Sequence, residues 1–269
     1  MSKISGPSLI RLAVIGVWIV LMSLLAYRHY GPGAKKAGLT SVIPADLDKK
    51  TALPFNLRLP ESTAYLKVRI SGIDPSGFDI SGGRQLLSGS VLTIYRETPE
   101  NPAQKATELR GEDFLGESFT IRSKDPDTAA LAKQIAGGET DQVAVAHKIH
   151  DWVYRSISKI RTFSVPVSTD VLKTRKGDCN EHAVLFTALA RAAGIPSRTV
   201  LGLVYDDGAL HYHSWAEILI NNKWIAVDPV LGEFPADASH IRLIAGDLDK
   251  MSEIISVMGK IRIEGMEYR

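Results

Sequence analysis

Between residues 55 and 122 apolar and polar positions alternate in short runs, clearest where Ala64, Leu66, Val68 and Ile70 interleave with Tyr65, Lys67 and Arg69. A period of two places alternate side chains on opposite faces of an extended chain, the signature of a half-buried strand. SVLTIYR at 90–96 and SFTI at 118–121 read the same way, and turn-rich stretches such as GIDPSG and ISGG separate them. The pattern predicts a small β-rich module over 51–122, in which the turn-rich chain from Gly72 to Gly89 is long enough to reach over a cleft. From Asp125 the period becomes helical. DPDTAALAKQIAGG ends on a glycine pair suited to a helix stop, and Thr140 to about Ile157 places Val145, Ile149, Trp152 and Val153 on one face.

Farther along, Gly177 permits a tight turn, Asp178 is a good N-cap, and a largely apolar helix is predicted from Cys179 to Ala193 before Gly194-Ile195-Pro196. TVLGLVY at 199–205 reads as a strand, Asp206-Asp207-Gly208 as a hairpin turn, and ALHYHSWAEILI at 209–220 as a long strand with His211, His213, Trp215 and Glu217 on one face. Asn221-Asn222 can take the two positive φ values of a type I′ turn, after which KWIAVDP returns antiparallel. A two-residue loop sets Trp215 opposite Asp228 and His213 diagonal to it on the same face, close enough for imidazole and carboxylate to meet. A slip of one residue would put them on opposite faces, so the turn carries this inference.

The amino-terminal segment follows neither period. Leu12 to Tyr27 holds no charge, and extended back through Arg11 and Ile10 to Leu9 it reaches 19 residues, near the ~20 that cross the hydrocarbon of a bilayer. A cut after Ala26 would leave Leu24 at the −3 position, which favours an uncleaved anchor over a cleaved signal and over a buried core helix. Lys3 and Arg11 face Arg28, Lys35 and Lys36 across it, so basic residues do not fix its direction; long domains translocate largely regardless of flanking charge. The expected organisation is an anchor at 1–30, a Gly-, Pro- and Lys-rich linker at 31–50, the β-rich module at 51–122, and a catalytic core with a carboxy-terminal extension at 123–269. The bulk of the chain would then lie outside the cytoplasm, in a bacterial periplasm or at the cell surface.

Composition narrows the chemistry. With 269 residues, 45% hydrophobic, and a net charge of +2, the chain can build a core and offers no electrostatic footprint for nucleic acid. Its one cysteine, Cys179, excludes an intrachain disulfide. A thiol on the first turn of a helix meets unpaired N–H groups and the positive end of the helix dipole, which favour the thiolate and a developing oxyanion. With His213 as base and Asp228 as orienter of the imidazole, Cys179 completes the parts of a nucleophilic triad. A metal site from Cys179, His182, His211 and His213 lacks a His-x-x-x-His helix or a cysteine pair and would leave Asp228 unexplained; no metal and no cofactor is expected. His147 and His150 fit packing or solvent exposure, His211 fits a pocket or a half-exposed strand, and Arg198 fits pairing with an acidic side chain. Beyond the Cys179 backbone, Trp152 and Tyr154 are the candidate oxyanion donors.

These residues resemble the transglutaminase-like superfamily: Gly177 and Cys179 at a helix start, Ala190 to Arg198 as its Ala-Arg-Ala-x-Gly-Ile-Pro-x-Arg end, then His213, Trp215 and Glu217, then Trp224, Asp228 and Pro229. The resemblance spans about 125–240. It implies an α+β, papain-like core in which the cysteine helix packs on an antiparallel sheet, and amide chemistry through a thioester with Cys179 as nucleophile, His213 as base and Asp228 as orienter. Nothing resembles the calcium sites or flanking β-barrels of animal transglutaminases, so the expected activity is cleavage of an amide or peptide bond, in a protein or peptide substrate of the cell envelope, rather than cross-linking. The alternative is a catalytically silent binding or scaffold module at the membrane surface.

Overall fold

The computed structural model describes residues 52–97, 114–160, 162, 165–247, 250 and 258–269. The predicted anchor and linker lie outside the described residues, among which no helix is long and apolar enough to cross a membrane.

Three layers stack. The middle layer is a five-stranded antiparallel sheet of β1 (Leu53–Pro54), β7 (Ser197–Asp206), β8 (Ala209–Ile220), β9 (Lys223–Val227) and β10 (His240–Ala245). Its order is β1-β8-β7-β10, with β9 on β8 as well. The outer sheet, in the order β11-β2-β4-β3, comprises β2 (Tyr65–Ser71), β3 (Gln85–Ser88), β4 (Val91–Tyr95) and β11 (Arg262–Tyr268). The third layer holds helices α1 (Pro126–Ala136), α2 (Gln142–Ser156), α3 (Ser168–Thr174) and α4 (Cys179–Ala192). A short parallel pair, β5 (Ser158–Lys159) with β6 (Lys176–Gly177), ties the end of α2 to the start of α4.

The alternation in β2 buries Leu66, Val68 and Ile70, which pack with Leu92 and Ile94 of β4 against Leu203, Leu210, Ile241 and Leu243 of the middle sheet. Farther along β8, Ala216, Ile218 and Ile220 pack against Leu185, Phe186 and Leu189 of α4, and Ile149 and Val153 of α2 close the same core. Helix starts follow local chemistry: Asp125 and Asp141 accept N–H groups of the first turns of α1 and α2, and Gly137 ends α1 in the left-handed conformation.

The structure differs from the sequence pattern in several places. SFTI at 118–121 forms no strand: Ser118 Oγ accepts the Ile121 N–H in a turn, although Ile121 is fully buried against Val184 and Ala188. Burial without a pairing partner mimicked the strand period. The β-rich sheet built from residues after Thr51 takes its fourth strand, β11, from the far end of the chain, paired along β2. The turn-rich segment after Gly72 packs onto β10, where the Asp79, Ser81 and Gly82 carbonyls accept the Arg242 guanidinium.

Gly202 makes the β7–β10 packing possible. A Cβ there would overlap the Ile241 carbonyl oxygen and stand 2.7 Å from Cη2 of Trp215, a side chain with no exposed surface. Gly202→Ala is therefore expected to destabilise the protein by about 1–3 kcal/mol in a urea titration; an unchanged midpoint would show that β7 and β10 separate freely.

Candidate active site

Cys179 stands at the first position of α4. Asp178 caps the helix, accepting the Asn180 N–H at 3.2 Å, while Glu181 reaches back to the Asp178 N–H at 3.1 Å and accepts the Thr162 hydroxyl. Gly177 is required beside it, since a Cβ would run into the Glu181 side chain. Burial and the neighbouring Glu181 carboxyl push Asp178 up to about 7.

β8 carries His213, and the register places Asp228 beside it. Asn221 and Asn222 take φ values of 50° and 60°, closing the two-residue turn, and β8 and β9 pair Ile220 with Lys223 through to Ala216 with Val227. One step further, Trp215 faces Asp228, and the diagonal contact is made: His213 Nε2–H donates to Asp228 Oδ2 at 2.7 Å. The Cys179 thiol stands close enough to the same ring to help raise its pKa. Cys179, His213 and Asp228 are thus brought to one place, with the His213–Asp228 pair hydrogen-bonded.

Asp228 has no exposed surface and is held from four directions. Oδ1 accepts the N–H groups of Val230 at 2.7 Å and Leu231 at 3.0 Å. Oδ2 accepts His213 and, at 3.0 Å, Nε2–H of His240. Its backbone carbonyl accepts His150 Nε2–H at 2.9 Å. Burial alone would raise the Asp228 carboxyl, but the His213 and His240 charges and hydrogen bonds outweigh it and hold it well below the usual carboxylate range. Burial likewise disfavours the charged His213 ring, yet the Asp228 charge and hydrogen bond, with Cys179 beside it, hold it up at about 9. Trp215 stacks on His213 with ring centroids 6.2 Å apart.

Behind the pair runs a buried ionic network. Glu217 accepts Arg198 Nε–H and Nη2–H at 2.8 and 2.6 Å and Arg242 Nη1–H at 2.8 Å, so Arg198 pairs with an acidic side chain as expected. Arg84 donates to the carbonyls of Ala236, Asp237 and His240 and pairs with Glu97.

The other sequence candidates lie elsewhere. His182 is buried on α4 with Nδ1 bonded to the Asp178 carbonyl at 2.6 Å, and burial lowers its pKa. His147 is half exposed near Asp151. Trp152 carries the Arg175 guanidinium over its ring, and Tyr154 the Lys159 ammonium. Among the described residues the converging sets of possible ligand atoms are His213, Asp228 and His240, and Glu233, Asp237 and His240, each within 4.8 Å, and not Cys179, His182, His211 and His213. In the first set the carboxylate oxygen sits between two N–H donors at hydrogen-bond lengths, the geometry of a proton-sharing hub. Two residues that touch Asp228 carry no sequence signal for it: His150 fits packing or solvent exposure, and His240 shows only the strand-like alternation of SHIRLIA.

A thiol at a helix start, beside an imidazole that is bonded to a buried carboxylate, on an α+β scaffold, is an arrangement of cysteine-based enzyme folds. Residues 129–229 match the model of the transglutaminase-like superfamily. An uncharacterized protein of Haemophilus influenzae is 35% identical over 111 residues, 39% of this chain and 29% of that protein, so the chain spans less than a third of this curated relative. Among solved structures, a candidate cysteine protease from Cytophaga hutchinsonii aligns at 18% identity with a TM-score of 0.47, covering 81% of this chain and 83% of that one. The periplasmic domain of TgpA from Pseudomonas aeruginosa aligns at 19% identity and 0.41, covering 64% and 67%. Red sea bream transglutaminase aligns at 13% identity and 0.36, covering 66% and 48%.

Proposed function

We propose that the protein is a membrane-anchored thiol enzyme that cleaves amide or peptide bonds outside the cytoplasm, with Cys179, His213 and Asp228 as its catalytic triad. The observation that carries this reading is the hydrogen bond from His213 to the buried Asp228 carboxylate, with the Cys179 thiol at the start of α4 beside the same ring. The Cys179 thiolate attacks the amide carbonyl, forming the C–S bond of a tetrahedral adduct whose oxyanion lies at the helix start. Because Asp178 already takes the Asn180 N–H, the Cys179 N–H is the donor available there. Collapse breaks the C–N bond, and the His213 imidazolium gives its proton to the departing amine. Water then attacks the thioester, its proton passes to His213, the C–S bond breaks, and the acid leaves as the thiolate returns. Asp228 holds Nε2, which presents Nδ1 to sulfur and to the leaving group. Water is favoured as acceptor because it needs no second binding site. Placement at the membrane rests on the uncharged segment Leu12–Tyr27, and a cell-envelope protein or peptide is the substrate that this location supplies.

Alkylation tests the reading against a silent binding module. Cys179 is the single thiol, so the rate of iodoacetamide labelling of the full-length protein against pH reports it alone. Rapid labelling below pH ~7, with a half-point raised by about one unit or more in His213→Ala, is the expected result. A thiol that titrates near ~8.5 in both proteins, or that reacts only on unfolding, would favour the silent module.

A further inference from the structure

His240 belongs to no part of the scheme above, yet it is fully buried and touches the same Asp228 oxygen as His213. Its Nε2–H donates to Asp228 Oδ2 at 3.0 Å, and its Nδ1, buried and without a hydrogen-bond partner, lies 3.5 Å from Asp237 Oδ1 and 3.9 Å from Glu233 Oε2, within ion-pair range of both. A neutral ring would leave one nitrogen without a proton facing a carboxylate, whichever tautomer it took. Only the imidazolium offers a proton on both sides. The carboxylates are themselves fixed: Asp237 accepts the N–H groups of Thr63 and Ser239 at 2.8 Å each, and Glu233 accepts that of Asp237 at 2.9 Å. Trp215 meets the ring edge-on at 5.2 Å, and Arg84 donates to the His240 carbonyl at 2.7 Å.

We propose that His240 is a positioning residue, a buried imidazolium clamped between Asp228 and the Asp237–Glu233 pair, which fixes the oxygen that orients His213 and shares that carboxylate's charge with it. The inference rests on the triad reading. Its consequence is electrostatic as well as geometric. A carboxylate divided between two imidazolium rings, whose centroids are 6.1 Å apart, holds the His213 proton less firmly than it would alone. The second positive charge also favours the thiolate that His213 faces. His240 therefore sets the pH window of the thiolate–imidazolium pair.

The groups facing His240 are known from every side. They are His213 on β8, Asp228 after β9, Glu233 and Asp237 on the loop that follows, and Arg84 with its partner Glu97 from the outer sheet. His150 on α2 meets Asp228 at its carbonyl. Burial opposes the charge on His240, while the Asp228 and Asp237 contacts outweigh it and support a value of about 9.

His240→Gln keeps a donor and removes the charge, and His240→Phe keeps the ring against Trp215 and removes both. In full-length protein, the acid limb of Cys179 alkylation by iodoacetamide and the alkaline titration of His213 followed by imidazole NMR are each expected to move upward. The shift should be on the order of one pH unit in either variant. A merely structural His240 would lower amplitude and leave both limbs in place, and folded variants with unmoved limbs would overturn the proposal. Should neither variant fold, the wild-type imidazole spectrum decides: both nitrogens of His240 protonated from pH ~6 to ~8 supports it, and a bare Nδ1 overturns it. Failure of the triad reading is distinguishable, because it would show as a wild-type Cys179 with the reactivity of an ordinary thiol.

Discussion

Cys179→Ser is expected to abolish turnover of acyl substrates, by about 10³-fold or more, while the melting temperature stays within ~2 °C of the parent. The substitution keeps a small polar side chain at the first position of α4, so the cap built by Asp178 and Glu181 is untouched. What it removes is the acidity of sulfur. His213 can share a proton with a thiol whose ordinary value lies near ~8.5, and the imidazolium that results is held by Asp228; a hydroxyl is far too weak an acid to form the same resting pair. His213→Ala should cost as much turnover and add a loss of stability, because Asp228 would keep only His240 on Oδ2. The measurement is hydrolysis of a peptide-amide library with both variants beside wild type. Turnover that survives in Cys179→Ser would place the nucleophile elsewhere and end the thioester mechanism.

The largest effect on stability is expected at Glu217. Its side chain is 2% exposed and accepts three N–H donors from two arginines, Arg198 and Arg242, the latter also 2% exposed. Glu217→Ala leaves two guanidinium groups facing each other without the charge between them, a change that typically costs about 3–5 kcal/mol. The backbone carbonyls of Asp79, Ser81 and Gly82 still hold Arg242, which places the effect toward the lower part of that range. The pH dependence has a definite sign. Burial would raise the Glu217 carboxyl, and Arg242 and Arg198 overcome that and hold it down at about 2. A group with a depressed value adds stability that is fully present above its ordinary value near 4.5 and is lost as pH falls toward 2. Urea titrations at pH 7 and pH 3 should therefore show a smaller difference between wild type and Glu217→Gln in acid. A deficit under ~1 kcal/mol for Glu217→Ala at pH 7 would mean that water screens the network.

Much of the central architecture was legible because local chemistry and tertiary packing agree there. Asn221-Asn222 takes one turn geometry, that turn allows one register, and the register carries the apolar face of β8 onto α4 and His213 to Asp228. Asp178 and Gly177 similarly announce where α4 begins. In these segments every short-range preference points the same way. At residues 118–121 burial without pairing produces the alternation of a strand, and a sequence period cannot tell the two apart.

The sequence by itself determined the helix that starts at the only cysteine, the hairpin that follows it, and the alignment of one histidine with one aspartate, since each rests on neighbours within a few residues or across one two-residue turn. Only the tertiary structure decided that β11 completes the outer sheet, that the segment after Gly72 clasps Arg242, and that His150 and His240 converge on Asp228 from a helix and a distant strand. Those contacts join residues up to about two hundred positions apart, and whether a buried imidazole becomes a cation depends on carboxylates that only the packed layers bring to it.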